Sequence, residues 1–172
     1  MTGSAIRPVA LGDAEALAAL HRRNRTFLQP WEPLREESWY TSTGQHAELV
    51  RVLAEQEAGR AAAFLVVDDE VPAGQVTLAP VVMGASQSAE LRFWVALDHN
   101  GRGLARAAVR EVGRYAFDVL GLHRLQTATL PHAIAAQHVL LADGYSRIGR
   151  APGYLRINGR WQDHVIFQRL AD

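Results

Sequence analysis

The residues best placed to do chemistry lie in one stretch, Leu91–Arg110, which reads LRFWVALDHNGRGLARAAVR. Leu91, Phe93, Trp94, Val95 and Leu97 suit a buried strand, and Asp98-His99-Asn100-Gly101-Arg102-Gly103 breaks it. Leu104, Ala108, Val112, Tyr115 and Val119 then recur at helical spacing. A strand therefore becomes a helix across a turn with two glycines. Backbone N–H groups at a helix N-terminus have no internal partner. With the positive end of the helix dipole they bind phosphate. Gly101 and Gly103 allow close approach and positive φ. The functional reading is a site for a phosphate-bearing ligand, and the bland one is a turn that only joins strand to helix.

Several chemistries fall away at once. The dinucleotide fingerprint G-x-G-x-x-G fails because Arg106 stands where its third glycine belongs. A Walker loop needs a lysine, and all 18 basic residues are arginine. There is no cysteine, so disulfides, thiolate metal sites and an acyl-cysteine intermediate are excluded. Any acyl transfer must be direct. The histidines show neither i,i+4 pairing nor H-E-x-x-H spacing, so no metal is expected. Asp163 and His164 are adjacent on a strand and point to opposite faces, so they cannot act as a dyad.

Other side chains carry two readings each. Arg102 and Arg106 either add charge-assisted contacts to a phosphate or join Arg110 and Arg114 in a solvated stripe. His132 and His138 could donate a proton near neutrality or sit idle on a rim. Phe27, Trp31 and Tyr40, with Trp39 beside them, form either the wall of an acceptor site or a lid packed on the core.

At 172 residues the chain is expected to form one domain, residues 1–172. A formal net charge of zero gives no bulk attraction to nucleic acid or an anionic membrane. No run reaches transmembrane length and MTGSAIRPVA lacks a signal pattern, so a cytoplasmic location is expected.

The positioning elements follow from periodicity and punctuation. Ile6–Val9 reads as a strand, and Asp13 as the cap of a helix marked by Leu17 and Leu20. An irregular aromatic segment runs from Asn24 to Pro33 and on to Gly44. Leu49, Val52 and Leu53 mark a second helix, ended by Gly59. Ala63–Asp68, Gly74–Val82 and Gln87–Leu97 read as strands, with Asp69-Glu70 turning between the first two. The helix after the glycine turn spans Leu104–Leu120. Arg124–Leu130 alternates as a strand, Ala133–Ala142 is a short helix, and Tyr145–Ile148 starts another strand. Asn158-Gly159 inside Tyr154–Phe167 is a type I′ hairpin signal. The order is β-α-α-β-β-β-α-β-α-β-β. That is an α/β (mixed α+β) chain with a central mixed twisted sheet of about seven strands and about four helices on its two faces.

Asn100-x-x-Gly103-x-Ala105, in this element order, resembles the acyl-CoA pyrophosphate loop of the GNAT N-acetyltransferases, usually Gln/Arg-x-x-Gly-x-Gly/Ala. Within that superfamily several pieces resemble the ribosomal-protein N-terminal alanine acetyltransferases. They are Phe27-Leu-x-Pro-Trp31, Gln87-Ser-Ala-Glu-Leu91, His99-Asn-Gly-Arg-Gly-Leu-Ala105, Leu120-Gly-Leu-His-Arg124 and Tyr154-Leu-Arg-Ile-Asn-Gly-Arg-Trp-Gln-Asp-His164.

The resemblance implies direct transfer of an acetyl group from acetyl-CoA to a primary amine, most simply the N-terminal α-amine of a protein such as a ribosomal protein. It leaves open a small-molecule amine, or an acyl-CoA-binding module with weak or lost catalysis. Phe93, Trp94 and Val95, beside a β-bulge, would polarise the thioester and pair with the pantetheine arm. Asn100, Gly101, Arg102, Gly103, Leu104, Ala105 and Arg106 would hold the pyrophosphate. Ala133, Gln137 and His138 would flank the arm. Glu90 would be the general base, and Phe27, Trp31, Tyr40 and Tyr154 would meet the acceptor. A homodimer is compatible with it. The helix after Pro131 departs from the family pattern: Ala133 replaces an asparagine, Ala136 a serine and His138 an arginine, so two hydrogen-bonding groups are missing.

Overall fold

The computed structural model describes residues 5–171. Its strands are β1 (Ile6–Pro8), β2 (Ala62–Asp68), β3 (Val71–Val82), β4 (Ser88–Val95), β5 (Arg124–Thr129), β6 (Ser146–Ile157) and β7 (Arg160–Leu170). Its helices are α1 (Ala14–Leu28), α2 (Ser42–Glu57), α3 (Leu104–Arg114) and α4 (Ile134–Ala142). The seven strands make one mixed sheet ordered β1-β2-β3-β4-β5-β7-β6. Every neighbouring pair is antiparallel except β4 and β5, which run parallel.

Alternation along β2 explains the layers. Ala62, Phe64 and Val66 join Ala108, Val109 and Val112 of α3 and Leu140 of α4 in one core. Ala63, Leu65 and Val67 point the other way, onto Ala14 and Leu17 of α1 and Leu49 of α2. A strand covered on both faces reads as an unbroken apolar run. Leu65, Leu78, Leu91 and Leu125 are fully enclosed. Each such side chain contributes about 1.5–3 kcal/mol relative to exposure.

Three boundaries differ from the sequence expectation. α1 continues through Asn24 to Leu28, where a loop was expected, so Phe27 is helical and half-buried. Asn24 is 2% exposed and tolerated there because its Nδ2 donates to the Leu20 carbonyl, 2.9 Å. α2 begins at Ser42, earlier than expected. Thr41 caps it by accepting from the Gly44 N–H at 3.0 Å, and a Cβ at Gly44 would stand 1.9 Å from the Ser38 carbonyl oxygen. The helix after the glycine turn is α only to Arg114. Tyr115–Val119 then forms a wider π-type turn, in which Leu120 N–H donates to Tyr115 O at 3.1 Å. That turn buries Ala116 and sets Tyr115 edge-on to Phe64.

Two smaller corrections concern caps and strands. Asp13 does not cap α1 with its side chain. Its carboxylate accepts from Ala10 N–H at 2.8 Å and from the Arg7 guanidinium at 2.7 and 2.9 Å, which holds its pKa below the usual range. β6 is one long strand with irregular register at Arg147/Gly149 and Ala151/Leu155, not two pieces. Asn158 and Gly159 both take positive φ, as the type I′ signal requires.

Candidate active site

The site is built where two strands part. β4 and β5 pair for three rungs, Ser88↔Arg124, Ala89↔Leu125 and Glu90↔Gln126, and no further. Leu91–Val95 keeps its partner β3 on one side, and 127–129 keeps β7 on the other. The facing edges beyond Glu90 lack a strand partner, which leaves a cleft lined by backbone. The irregularity expected near Phe93–Val95 lies elsewhere. It is in β3, where Ala79 and Pro80 fall between the rungs Leu78↔Leu91 and Val81↔Ala89, opposite Glu90. β4 itself pairs regularly from Leu91 to Val95.

The side chains of β4 alternate about this cleft. Val95 is buried in the α3 core, and Phe93 packs against it while partly exposed. Trp94 turns to the other face and meets His21 of α1, ring centroids 4.9 Å apart. His21 also meets Trp39 edge-on at 5.2 Å and is 2% exposed. Burial pushes the His21 imidazole down to about 4, opposed by the Gln75 side chain and reinforced by Arg35. Glu90 and Arg92 share the Trp94 face by alternation. Arg92 Nε donates to Glu90 Oε1 at 3.2 Å.

At the far end of the cleft lies the glycine turn. Gly101 has φ +78° and Gly103 φ +79°, and Gly103 is the N-cap of α3. The first bond of the helix joins Ala107 N–H to Gly103 O at 3.0 Å. The amides of Gly103, Leu104, Ala105 and Arg106 precede it and have no intrahelical acceptor. A Cβ on either glycine would meet no atom within 4 Å, so the glycines serve conformation and ligand approach, not internal packing.

The turn is anchored by residues outside it. Asn24 Oδ1 accepts from Leu97 N–H at 2.9 Å. Asp68 Oδ2 accepts from Arg102 Nη1 at 2.6 Å and from His99 Nδ1 at 2.9 Å. His99, then burial in opposition, then Arg102 leave Asp68 below the usual carboxylate range. Arg106 donates to the Ala142 carbonyl at 3.1 Å and lies 3.5 Å from Asp143, while Arg110 donates to Asp143 at 3.0 Å. The guanidiniums of Arg102 and Arg106 are thus engaged internally. Neither Asn24 nor Asp68 stood out in the sequence, because each acts across a distance in chain that no local pattern records.

The residues of α4 contribute shape. Ala133 is its N-cap residue, and Gln137 Nε2 donates to the Leu130 and Pro131 carbonyls at 3.2 and 3.1 Å, fixing the turn after β5. His138 is exposed.

Of the acceptor candidates, Trp31 and Tyr40 lie in the connection between α1 and α2, and Tyr154 lies on β6. Trp31 stacks on His132, centroids 5.3 Å apart, and is 41% exposed. Arg25 lies over the Tyr40 ring at 4.3 Å and Arg35 over Trp39 at 3.9 Å. Between them, burial raises the pKa of Glu32, with Arg35 opposing. Asn158 N–H donates to Glu32 O at 2.9 Å, which docks this segment on the β6–β7 hairpin. The Tyr154 ring is tilted against that of His164, centroids 5.7 Å apart. Asp163 does not pair with His164: it accepts from Gly153 N–H at 2.9 Å and Arg150 at 2.8 Å, which lowers its pKa and orders the β6 irregularity. Phe27, on α1, carries no ring contact to this group among the described residues.

Comparison with known proteins agrees with this geometry. The family model described as an acetyltransferase (GNAT) domain matches residues 5–146. The chain is 32% identical over 168 residues to the probable N-acetyltransferase YjcK of Bacillus subtilis (strain 168), covering 96% of this chain and 92% of the relative. It is 31% identical over 163 residues to the ribosomal protein uS5-alanine N-acetyltransferase of Escherichia coli (strain K12), covering 94% and 84%. Mycobacterium smegmatis RimJ, solved in complex with CoA-disulfide, superposes with a TM-score of 0.92 at 30% identity, covering 96% of this chain and 81% of that one. No helix among the described residues is long and apolar enough to cross a membrane.

Proposed function

Because the chain belongs to the GNAT acetyltransferase domain family, we propose that it moves an acetyl group from acetyl-CoA directly onto the N-terminal α-amine of a protein such as a ribosomal protein. The observation that carries this reading is the parting of β4 from β5 beyond Glu90↔Gln126, which leads straight to the free amides of α3.

In this reading the pantetheine arm lies along the open edge of Phe93, Trp94 and Val95, where the alternate N–H groups that do not bond β3 polarise the thioester carbonyl. The pyrophosphate takes the amides from Gly101 to Arg106, with Asn100 at the entrance. Ala133, Gln137 and His138 border the arm. The acceptor enters from the rim of Trp31, Tyr40 and Tyr154, with Phe27 behind it. Its amine loses a proton to Glu90, directly or through water, and its nitrogen attacks the thioester carbon. The C–S bond breaks, an amide forms, and the CoA thiolate takes up a proton.

Holding both reactants together is worth up to about 7–11 kcal/mol. A hydrogen bond missing through Ala133 or Ala136 costs about 1–3 kcal/mol. Positioning therefore outweighs the departures in α4, which is why efficient transfer is compatible with them. An acceptor on the ribosome would place the reaction in the cytoplasm.

The test is acetyl transfer, followed by mass spectrometry, to peptides beginning with alanine or serine and to a panel of free amines. Acetylation at the peptide α-amine is expected. Transfer to small amines alone would overturn the protein-acceptor reading.

A further inference from the structure

We infer that Asp68, at the end of β2, is a positioning residue for acetyl-CoA: it ties the glycine turn down at His99 and at Arg102 before the pyrophosphate arrives. The inference rests on the reading of that turn as the pyrophosphate site.

Asn24 and the backbone bonds of His99 and Asn100 hold the approach to the turn, and Asp68 reaches across Gly101 itself. Gly101 and Gly103 are exposed, take positive φ, and have open space where a side chain would be. Such a segment loses more backbone freedom on ordering than any other kind. Asp68 Oδ2 accepts from His99 Nδ1 at 2.9 Å, before Gly101, and from Arg102 Nη1 at 2.6 Å, after it. Asp68 is itself fixed by its rung with Val71. The carboxylate therefore clamps the residues on either side of Gly101. Ordering completed before binding is not charged against affinity.

Simple electrostatics predicts the reverse. A carboxylate near a phosphate repels it, and Asp68 also occupies an arginine that could reach the ligand. If charge dominated, removing Asp68 would tighten binding. If positioning dominates, removing it loosens binding. The sign of the effect decides between them.

The experiment is calorimetry with acetyl-CoA and steady-state kinetics on wild type, Asp68→Ala and Asp68→Asn, with S-acetylpantetheine as a second donor that lacks the pyrophosphate. For Asp68→Ala, Kd and KM for acetyl-CoA should rise about tenfold while kcat stays within about twofold. kcat/KM for S-acetylpantetheine should not change. Asp68→Asn, which keeps an acceptor but not the charge, should fall between, and it decides the matter if Asp68→Ala does not fold. Tighter or unchanged acetyl-CoA binding overturns the inference, as does an equal loss with both donors. Wild-type protein that gives no heat with acetyl-CoA would overturn the proposed site and this inference with it, whereas normal wild-type binding isolates Asp68.

Discussion

The indole of Trp94 lies 4.9 Å from the imidazole of His21, joining the edge of the cleft to the buried face of α1. The imidazole is held near pKa 4, against an ordinary value of 6.5, mainly by burial. The folded state therefore favours neutral His21, and the unfolded chain protonates first. Stability from this residue is complete above pH 6.5 and is lost as pH falls toward 4. At pH 4.5 the loss is on the order of 2–3 kcal/mol. Urea unfolding of wild type at pH 7 and pH 4.5 should show it, and in His21→Leu the drop between the two should shrink by about that amount. An equal drop in both proteins would remove His21 from the account of acid sensitivity.

Glu90 sits at the last rung before the strands part. Glu90→Gln keeps the shape and removes the proposed base. kcat should fall by a factor of about 10²–10⁴, while the Kd of acetyl-CoA by calorimetry stays constant. A kcat within a few-fold of wild type would assign the proton to water or another group.

Gly103 begins α3 at φ +79°. Gly103→Ala meets no steric neighbour, so its cost is conformational, about 1–2 kcal/mol. Thermal denaturation should register that cost. KM for acetyl-CoA should rise more than KM for the acceptor peptide, because the strained turn no longer presents its amides together. Equal rises in both would argue against a local effect on the turn.

Tyr145 is 2% exposed, and its hydroxyl has no hydrogen-bond partner. Burial raises its pKa, so it stays neutral throughout the working range. Removing an unsatisfied buried group is neutral or favourable. Tyr145→Phe should leave chemical stability unchanged or raise it by up to about 1 kcal/mol. A loss larger than that would mean the hydroxyl is satisfied, for instance by an enclosed water.

Much of this fold was readable from local chemistry. The β2 run is apolar on both faces, the Asn158-Gly159 turn demands positive φ, and Gly101 and Gly103 punctuate a strand-to-helix switch. What stayed hidden depends on partners far away in the chain. Asn24 opened a segment that reads as irregular from its aromatics and prolines, yet α1 runs on through it, and its side chain bonds Leu20 O and Leu97 N–H. Arg102 and Arg106 repeat with Arg110, and nothing in that spacing told which carboxylate each would find. Asp68 and Asp143 supplied the answer, from β2 and from the residue that closes α4. The acceptor rim was legible as a list of aromatics but not as an arrangement, since Trp31 is placed by His132 and Tyr40 by Arg25.

The parallel junction has a mechanical consequence. Strands β1 to β4 and strands β5, β7 and β6 form two antiparallel ribbons, and among sheet pairings only three rungs join them. A molecule lying between the ribbons, bonded to both, takes the place of the missing rungs. It would act as a rivet, so that the loaded protein resists being pulled apart along this seam more than the empty one does.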